Sequence, residues 1–461
     1  MKIIFLQTDV LFFSFLGIVV GYFCLIFKRK QTFDRWKSIF EKPLASSASV
    51  ILMFYLIVAV FDSIHFEVVE KSPNFRVGQV VSVLDRHLIS LSKKVERTYS
   101  APLAYRSYAK ETVLSDNGKI KRVYPRLTHA GSHLDDPESE HISDLLSISL
   151  DGFVRGILIW TFWIACFFII RIVIFQINFS DEFHQFFRKK SIAYPILTVG
   201  IISIIVGICI ELSAYYHVLG TDKVGQDILY QSLKSIRTGV IIGTLTTLVI
   251  IPFALIFGVA AGYFGGWVDD IIQFLYTTLS SIPGVLLIAA SALMLEVYMA
   301  KQGDFFENLT VRADLRLLAL CVILGITAWT GLCRYIRAET LKLKESDFVA
   351  ASIAFGGSSY RTILRHIIPN LMHIVMIAVV LDFSGLVLAE AALSYIDIGV
   401  DPSMESWGNM INGARLELAR DPVVWWALVS AFLFMFFLVL AANIFADAVR
   451  DSFDPKLKDT L

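Results

Sequence analysis

Residues 346–369 read SDFVAASIAFGGSSYRTILRHIIP and separate two long apolar segments. The stretch is too polar to cross a bilayer and too patterned for slack linker. Ser346 is a residue type that caps a helix, and small side chains follow at Ala350, Ala351, Ser352 and Ala354. Gly356-Gly357 then supplies the backbone freedom that ends such a helix. Ser358 is placed to cap a second helix carrying Arg361, Arg365 and His366 on its polar side, and Pro369 marks where a new element must begin. The pattern predicts a compact helix-turn-helix knob on a membrane surface; an ordinary amphipathic loop is the plainer alternative.

Outward from the knob, the composition is that of a polytopic, all-α membrane protein. Hydrophobic residues make up 56% of the 461, and apolar runs recur near the length a helix needs to cross hydrocarbon. Formal net charge is zero, so the overall balance offers nothing to nucleic acid. The five cysteines (Cys24, Cys166, Cys209, Cys321 and Cys333) sit in or at the ends of apolar segments without a C-x-x-C pair, and read as small buried hydrophobes. No G-x-x-x-x-G-K-[ST] loop is present, so the chain cannot cradle ATP phosphates in the usual way. The absence of H-E-x-x-H and G-x-S-x-G lowers the case for an intramembrane hydrolase.

Charge sets the expected topology. A first apolar run, residues 10–27, is followed by Lys28, Arg29, Lys30, Arg35 and Lys37, which places that basic stretch in the cytoplasm and the N-terminus outside. The basic cluster follows the run instead of preceding it, which argues against a cleaved signal peptide. A second span at 47–61 leads to a polar insert, residues 62–149, expected outside and punctuated by Asp116-Asn117-Gly118. Within the insert, His129, His133, Asp135, Asp136, Glu138, Glu140 and His141 are metal-ligand types close in sequence. The favoured reading is a solvated acidic loop broken by Gly131 and Pro137. A third span at 153–175 runs to Arg188-Lys189-Lys190, and a fourth lies at 192–210. A fifth span from Thr238 ends in GVAAGYFGGWVDD (258–270), and spans at 271–295, 317–335, 374–393 and 423–444 bring the total to nine, with the C-terminus cytoplasmic.

Several ordered strings carry a resemblance. Ala350-Ala351-Ser352, then Gly356, then His366-Ile367-Ile368-Pro369 are similar in spacing to the cytoplasmic EAA loop of ABC importer permeases, with Ala350, Ser352 and Ile368 replacing that pattern's Glu, second Ala and Leu. Gly220, Thr221, Asp222, Gly225 and Asp227 resemble the outer-face G-T-D-x-x-G-R-D of the peptide-transporting branch, with Gln226 in place of Arg. GVAAGYFGGWVDD (258–270), the set Trp329, Gly331, Arg334, Arg337 and Glu339, and the strings AEAALSYIDIGV, DPSMESWGNMINGAR and AVRDSFDPKLK continue the likeness in order, over residues 219–457. Gly258 and Gly262 have the spacing that lets membrane helices approach closely.

The resemblance implies a type I ABC importer permease core at 191–461 with a coupling loop at 345–370. The additions to it are two N-terminal spans (1–61), the insert (62–149) and a further helix and loop (150–190). It implies a multi-pass protein of a prokaryotic cytoplasmic membrane, working in the lipid bilayer with a second permease, two ABC ATPase subunits that carry ATP-Mg, and an extracytoplasmic solute-binding protein. The expected solute is a di- or oligopeptide, with nickel or another small solute as the alternative. The coupling residues are then Asp347, Phe348, Val349, Ala350, Ala351, Gly356, Arg361, Arg365 and Pro369. Phe348 and the Ala350-Ala351 face would enter a groove on the ATPase, and the two arginines would pair with acids at its rim. Asp382 and Glu390 are candidates for the translocation path; a secondary transporter using those carboxylates is the rival reading.

Overall fold

A computed structural model describes residues 2–26, 30–68, 79–114, 120–175, 190–301 and 309–453. Asp116-Asn117-Gly118, the basic residues 28, 29, 188 and 189, and residues 454–458 of the last string lie outside the described residues. The elements run β1 (Lys2–Ile4), α1 (Gln7–Ile26), α2 (Lys30–Glu41), α3 (Pro43–Asp62), β2 (His65–Glu67), β3 (Val80–Ser82), α4 (Val83–His87), α5 (Ile89–Lys93), β4 (Glu111–Leu114), β5 (Ile120–Val123) and α6 (Pro137–Phe175). There follow α7 (Lys190–Tyr215), α8 (Ile228–Phe264), α9 (Gly266–Ser281), α10 (Gly284–Lys301), α11 (Leu309–Lys344), α12 (Asp347–Ala354), α13 (Ser359–Thr362), a π turn (Ile363–Ile367), α14 (Ile368–Tyr395), α15 (Trp407–Arg415) and α16 (Trp426–Phe453). Among the described residues eight helices are long and apolar enough to cross a membrane, and the pair α9 and α10 makes a ninth if it counts as one span. That pair is bent by 86°, where the hydropathy pattern predicts one straight span over 271–295. The cause is Ile282-Pro283-Gly284, since proline lacks the N–H that would continue the first helix.

The chain divides into two units. The first comprises Met1–Ile4, Phe40–Arg237 and Glu405–Ala441. In it α6 and α7 pack along a glycine seam: a Cβ on Gly152 or Gly156 would stand 2.6 or 2.5 Å from the Cα of Ile208 or Ile204. Without a hydrophobic driving force between helices in lipid, such close backbone approach is what holds the pair. The Trp160 indole N–H donates to the Ile196 carbonyl at 2.9 Å, and Arg155 pairs with Glu211 at 2.6 Å. The insert supplies β2 and β3, which form an antiparallel sheet with the N-terminal β1, with Ile3 opposite Phe66 and Phe66 opposite Val81, and it carries the hairpin β4-β5.

The second unit comprises Phe5–Ile39, Thr238–Met404 and Ala442–Leu461. Gly258 and Gly262 of α8 lie against α11, where added Cβ atoms would stand 2.7 Å from Ile336 and 2.6 Å from Thr340, so their spacing serves helix packing inside the chain. Arg337 of α11 grips Asp269 of α9 through two bonds, 2.5 and 2.6 Å, a bidentate arrangement that fixes orientation as well as distance. The N-terminal helix α1 is tied to α11 through Thr8, whose N–H and hydroxyl both donate to the Asp314 carboxylate. Cys321 and Cys333 are buried as expected, whereas Cys24 is exposed.

Candidate functional site

The knob is built as two faces. Val349, Thr362 and Ile367 are fully buried, and Val349 and Ile367 join the core made by α8, α9, α11 and α14. Ser352 Oγ lies 3.2 Å from Thr362 Oγ1 and links the two short helices. Between them Gly356 takes φ +77°, a conformation that costs glycine little, and the N–H groups of Gly356 and Gly357 close the first helix onto the carbonyls of Ile353 and Ser352. Ser346 and Ser358 stand at the two N-cap positions, but neither side chain makes the capping bond; the Ser346 hydroxyl donates back to Leu343 O at 2.5 Å.

One expectation for the knob needs correction. Val349 faces the core and cannot contact a partner. Pro369 stands in the first turn of α14, where the sequence pattern places the start of an element, although the helical run itself is continuous from Ser359 to Tyr395. The helix accommodates the ring by widening: the Ile368 N–H reaches back to Ile363 O in the π turn, which removes the proline from an ordinary α-helical pairing.

The outer face is polar and aromatic. Asp347, Phe348, Ala350, Ala351, Arg361 and Arg365 are all exposed. So are three residues that sequence reasoning missed: Ile353 (49% exposed), Phe355 (90%) and Tyr360 (75%), beside Phe348 (43%). An aromatic next to Gly-Gly, outside any apolar run, was the available signal for Phe355. The Phe348 ring stands 6.3 Å from that of His366.

The structure treats the two intramembrane carboxylates differently. Glu390 is 1% exposed and accepts from Ser394 Oγ at 2.7 Å, while Asp382 lies on an exposed face of α14. The outer-face motif is knitted to the insert. Thr221, fully buried, donates through its hydroxyl to Thr98 O and accepts from the Ser100 N–H at 2.7 Å. Asp222 accepts the N–H groups of Val224 and Gln226, forming the turn, and Asp227 Oδ1 caps α8 by accepting the Tyr230 N–H. Gly220 and Gly225 have positive φ, and a Cβ on Gly225 would lie 1.9 Å from Glu96 O.

Beside this motif His217 is buried between two acids, with Nδ1 2.7 Å from Asp227 and Nε2 3.7 Å from Glu96. Burial alone would lower its pKa, but the two carboxylates outweigh that and push it up to about 8. Glu96 accepts the N–H groups of Thr128, His129 and Ala130 and the Thr128 hydroxyl. Burial would raise Glu96, yet His217 and these donors hold it well below the usual glutamate range. Lys234, also missed, pairs with Asp85 at 2.7 Å and Asp62 at 3.4 Å. Among the described residues no group of His, Cys, Asp and Glu could hold a metal ion. His133 binds Asp144, and His141 packs on the rings of Tyr105 and Tyr216.

Residues 254–459 match the binding-protein-dependent transport system inner membrane components. The chain is 30% identical over 241 residues to the oligopeptide transport system permease protein OppC of Haemophilus influenzae, covering 52% of this chain and 71% of that protein. The chain belongs to this family. It is also 31% identical over 243 residues to the glutathione transport system permease protein GsiD of Pectobacterium atrosepticum, covering 73% of it, and 28% identical over 243 residues to the dipeptide transport system permease protein DppC of Lactococcus lactis, covering 65%. This is therefore a multi-pass permease subunit of an ABC importer in an inner membrane, a transporter component and not a catalyst. Such importers draw energy from separate ATPase subunits and receive solute from a binding protein. Family membership removes the ion-gradient rival.

Proposed function

We propose that this permease imports peptides and that residues 346–369 couple it to its ATPase partners. The observation that carries the coupling reading is the knob's division of labour. One face, with Val349, Thr362 and Ile367, is locked into the helix core, and the other presents Phe348, Ile353 and Phe355 ahead of the candidate span Ser359–Tyr395 and Tyr360 at its very start. ATPase closure can reach the membrane helices only through a rigid body gripped at one end and covalently continuous with them at the other. The helix from Ser359 to Tyr395 supplies that continuity. Arg361 and Arg365 pair with acids at the ATPase rim, and Asp347 stands at the first helix's N-terminus beside Phe348. The knob and C-terminus are cytoplasmic, the N-terminus and insert extracytoplasmic, and a second, different permease chain completes the path with two ATPases carrying ATP-Mg. Peptide as solute is supported by the names of the relatives, which include dipeptide, oligopeptide and glutathione permeases.

Gly356→Val tests the coupling. A Cβ there meets nothing within 4 Å, so the substitution acts through backbone conformation alone. The expected result is a normally inserted permease that still docks its binding protein but no longer links ATP hydrolysis to uptake. Transport at the parental rate with normal ATPase capture would overturn the assignment.

A further inference from the structure

Between α9 and α10 the residues from Ser281 to Leu286 are all exposed. The hydrogen bonds that bridge the break run from the Ile282 N–H to Leu279 O at 3.3 Å and from the N–H groups of Leu286 and Leu287 to Pro283 O at 2.9 and 3.3 Å. Pro283 has no N–H to offer, and the helix ends on either side keep carbonyls and N–H groups that need water or another partner. Added Cβ atoms at Gly284, and at Gly331 of α11, would meet nothing within 4 Å, so the backbone stands open there.

The break lies at membrane depth. Ser280 Oγ, at its edge, stands 3.4 Å from Thr330 Oγ1 of α11. Thr330 precedes by five residues Tyr335, where the apolar run of α11 ends, and so lies about 7.5 Å inside that run. Irregular backbone at such depth is not found against lipid; it is tolerated where protein covers it or where it borders water. A cation stands at the same place. Arg334 of α11, exposed, donates to Ser280 Oγ at 3.1 Å and to Thr330 O at 3.4 Å, and lies over the Tyr276 ring at 5.4 Å. These partners are neutral, and among the described residues no carboxylate pairs with it, whereas Arg337 is paired with Asp269. A guanidinium with only neutral partners inside a span marks a solute pathway and attracts an anion. A neighbouring chain that covered the break would have to bring an acid for Arg334 and partners for the open backbone, whereas water satisfies both.

We propose that the break between α9 and α10 borders the water-filled path through the permease and that Arg334 takes the solute's free carboxylate there. The carboxylate half rests on the reading of the solute as a peptide; the path half does not.

The test uses the complete importer in proteoliposomes, with Ser281→Cys, Gly284→Cys or, as the control in the unbroken apolar helix α7, Ile205→Cys, a position 55% exposed. Two water-soluble methanethiosulfonates, one carrying a sulfonate and one a quaternary ammonium, are applied on both sides of the membrane. Mass spectrometry quantifies adducts at each position and separates them from the native cysteines. Positions 281 and 284 are expected to label and position 205 is not. The anionic reagent should react faster than the cationic one at 281, and Arg334→Gln should reduce that preference roughly fivefold. Arg334→Lys should retain it and guards against a folding defect. Dialanine should slow the anionic reagent, and dialaninamide should not. No labelling at 281 and 284, a charge preference unchanged by Arg334→Gln, or equal protection by dialanine and its amide would overturn the proposal. Uptake of radiolabelled dialanine separates the two readings: an importer that takes it up with neither position labelled refutes the path alone, and one that labels but takes up none refutes peptide as solute.

Discussion

Phe355 offers the sharpest test of the docking face. Its side chain is 90% exposed, so Phe355→Ala removes almost no contact inside the permease and should change its own stability by less than about 0.5 kcal/mol. If the ring fills a groove on the ATPase, truncation loses the burial of one phenylalanine, about 1.5–3 kcal/mol, which is in the range of an interface hot spot. The dissociation constant should then rise roughly 10- to 150-fold, since about 1.4 kcal/mol is a factor of ten. Titrating purified ATPase subunits onto the permease in nanodiscs measures this directly, with thermal unfolding of the variant permease as the control. Phe355→Leu should retain much of the affinity. A dissociation constant within twofold of the parental value for Phe355→Ala would refute docking through this residue.

Three further outcomes are expected. His217, with its pKa raised from about 6.5 to about 8, contributes stability that is fully present below pH 6.5 and is lost as pH rises through 8; the amount is about 2 kcal/mol, and hydrogen-exchange protection factors around Glu96 and residues 128–131, corrected for the base-catalysed intrinsic rate, should fall in that window in the parental chain but not in His217→Gln. Gly225→Ala must push a methyl group against Glu96 O while straining a positive φ, so at least about 2 kcal/mol of destabilisation is expected, read as a lower unfolding temperature and easier proteolysis of the insert. Gly156→Leu should separate α6 from α7 at a cost of about 1–3 kcal/mol in detergent thermal unfolding, whereas Gly17→Leu, with nothing within 4 Å, should be silent.

The membrane class, the turn at Gly356 and the close approach at Gly258 and Gly262 could be read from sequence because each follows from a local property: hydropathy, backbone freedom or the lack of a side chain. What escaped reading depends on distant partners. A three-residue strand such as Lys2–Ile4 exists only because His65–Glu67 lies beside it, and no local pattern announces that pairing. Val349 counts among the expected coupling residues, but which side of its helix the core takes depends on distant elements, and the core takes Val349. The π turn before Pro369 was not legible, since a change from α to π pairing leaves no mark in the local pattern. Lys234 gives no signal in the polar stretch before its span, its two carboxylate partners being 149 and 172 residues away in sequence.

The π turn at Ile363–Ile367 has a mechanical consequence. Proline contributes no N–H to the strut it would normally form, so the shaft between knob and membrane span has one weak joint, at a known position. Above and below it the α-helical ladder is intact. If the knob couples as proposed, a push along the axis would pass through the continuous helix, and a sideways load would bend it first at Pro369. The permease would therefore tolerate misalignment between its drive units and its span, much as a coupled shaft does, and stiffening that joint with Pro369→Ala should make transport more sensitive to mutations that tilt the knob.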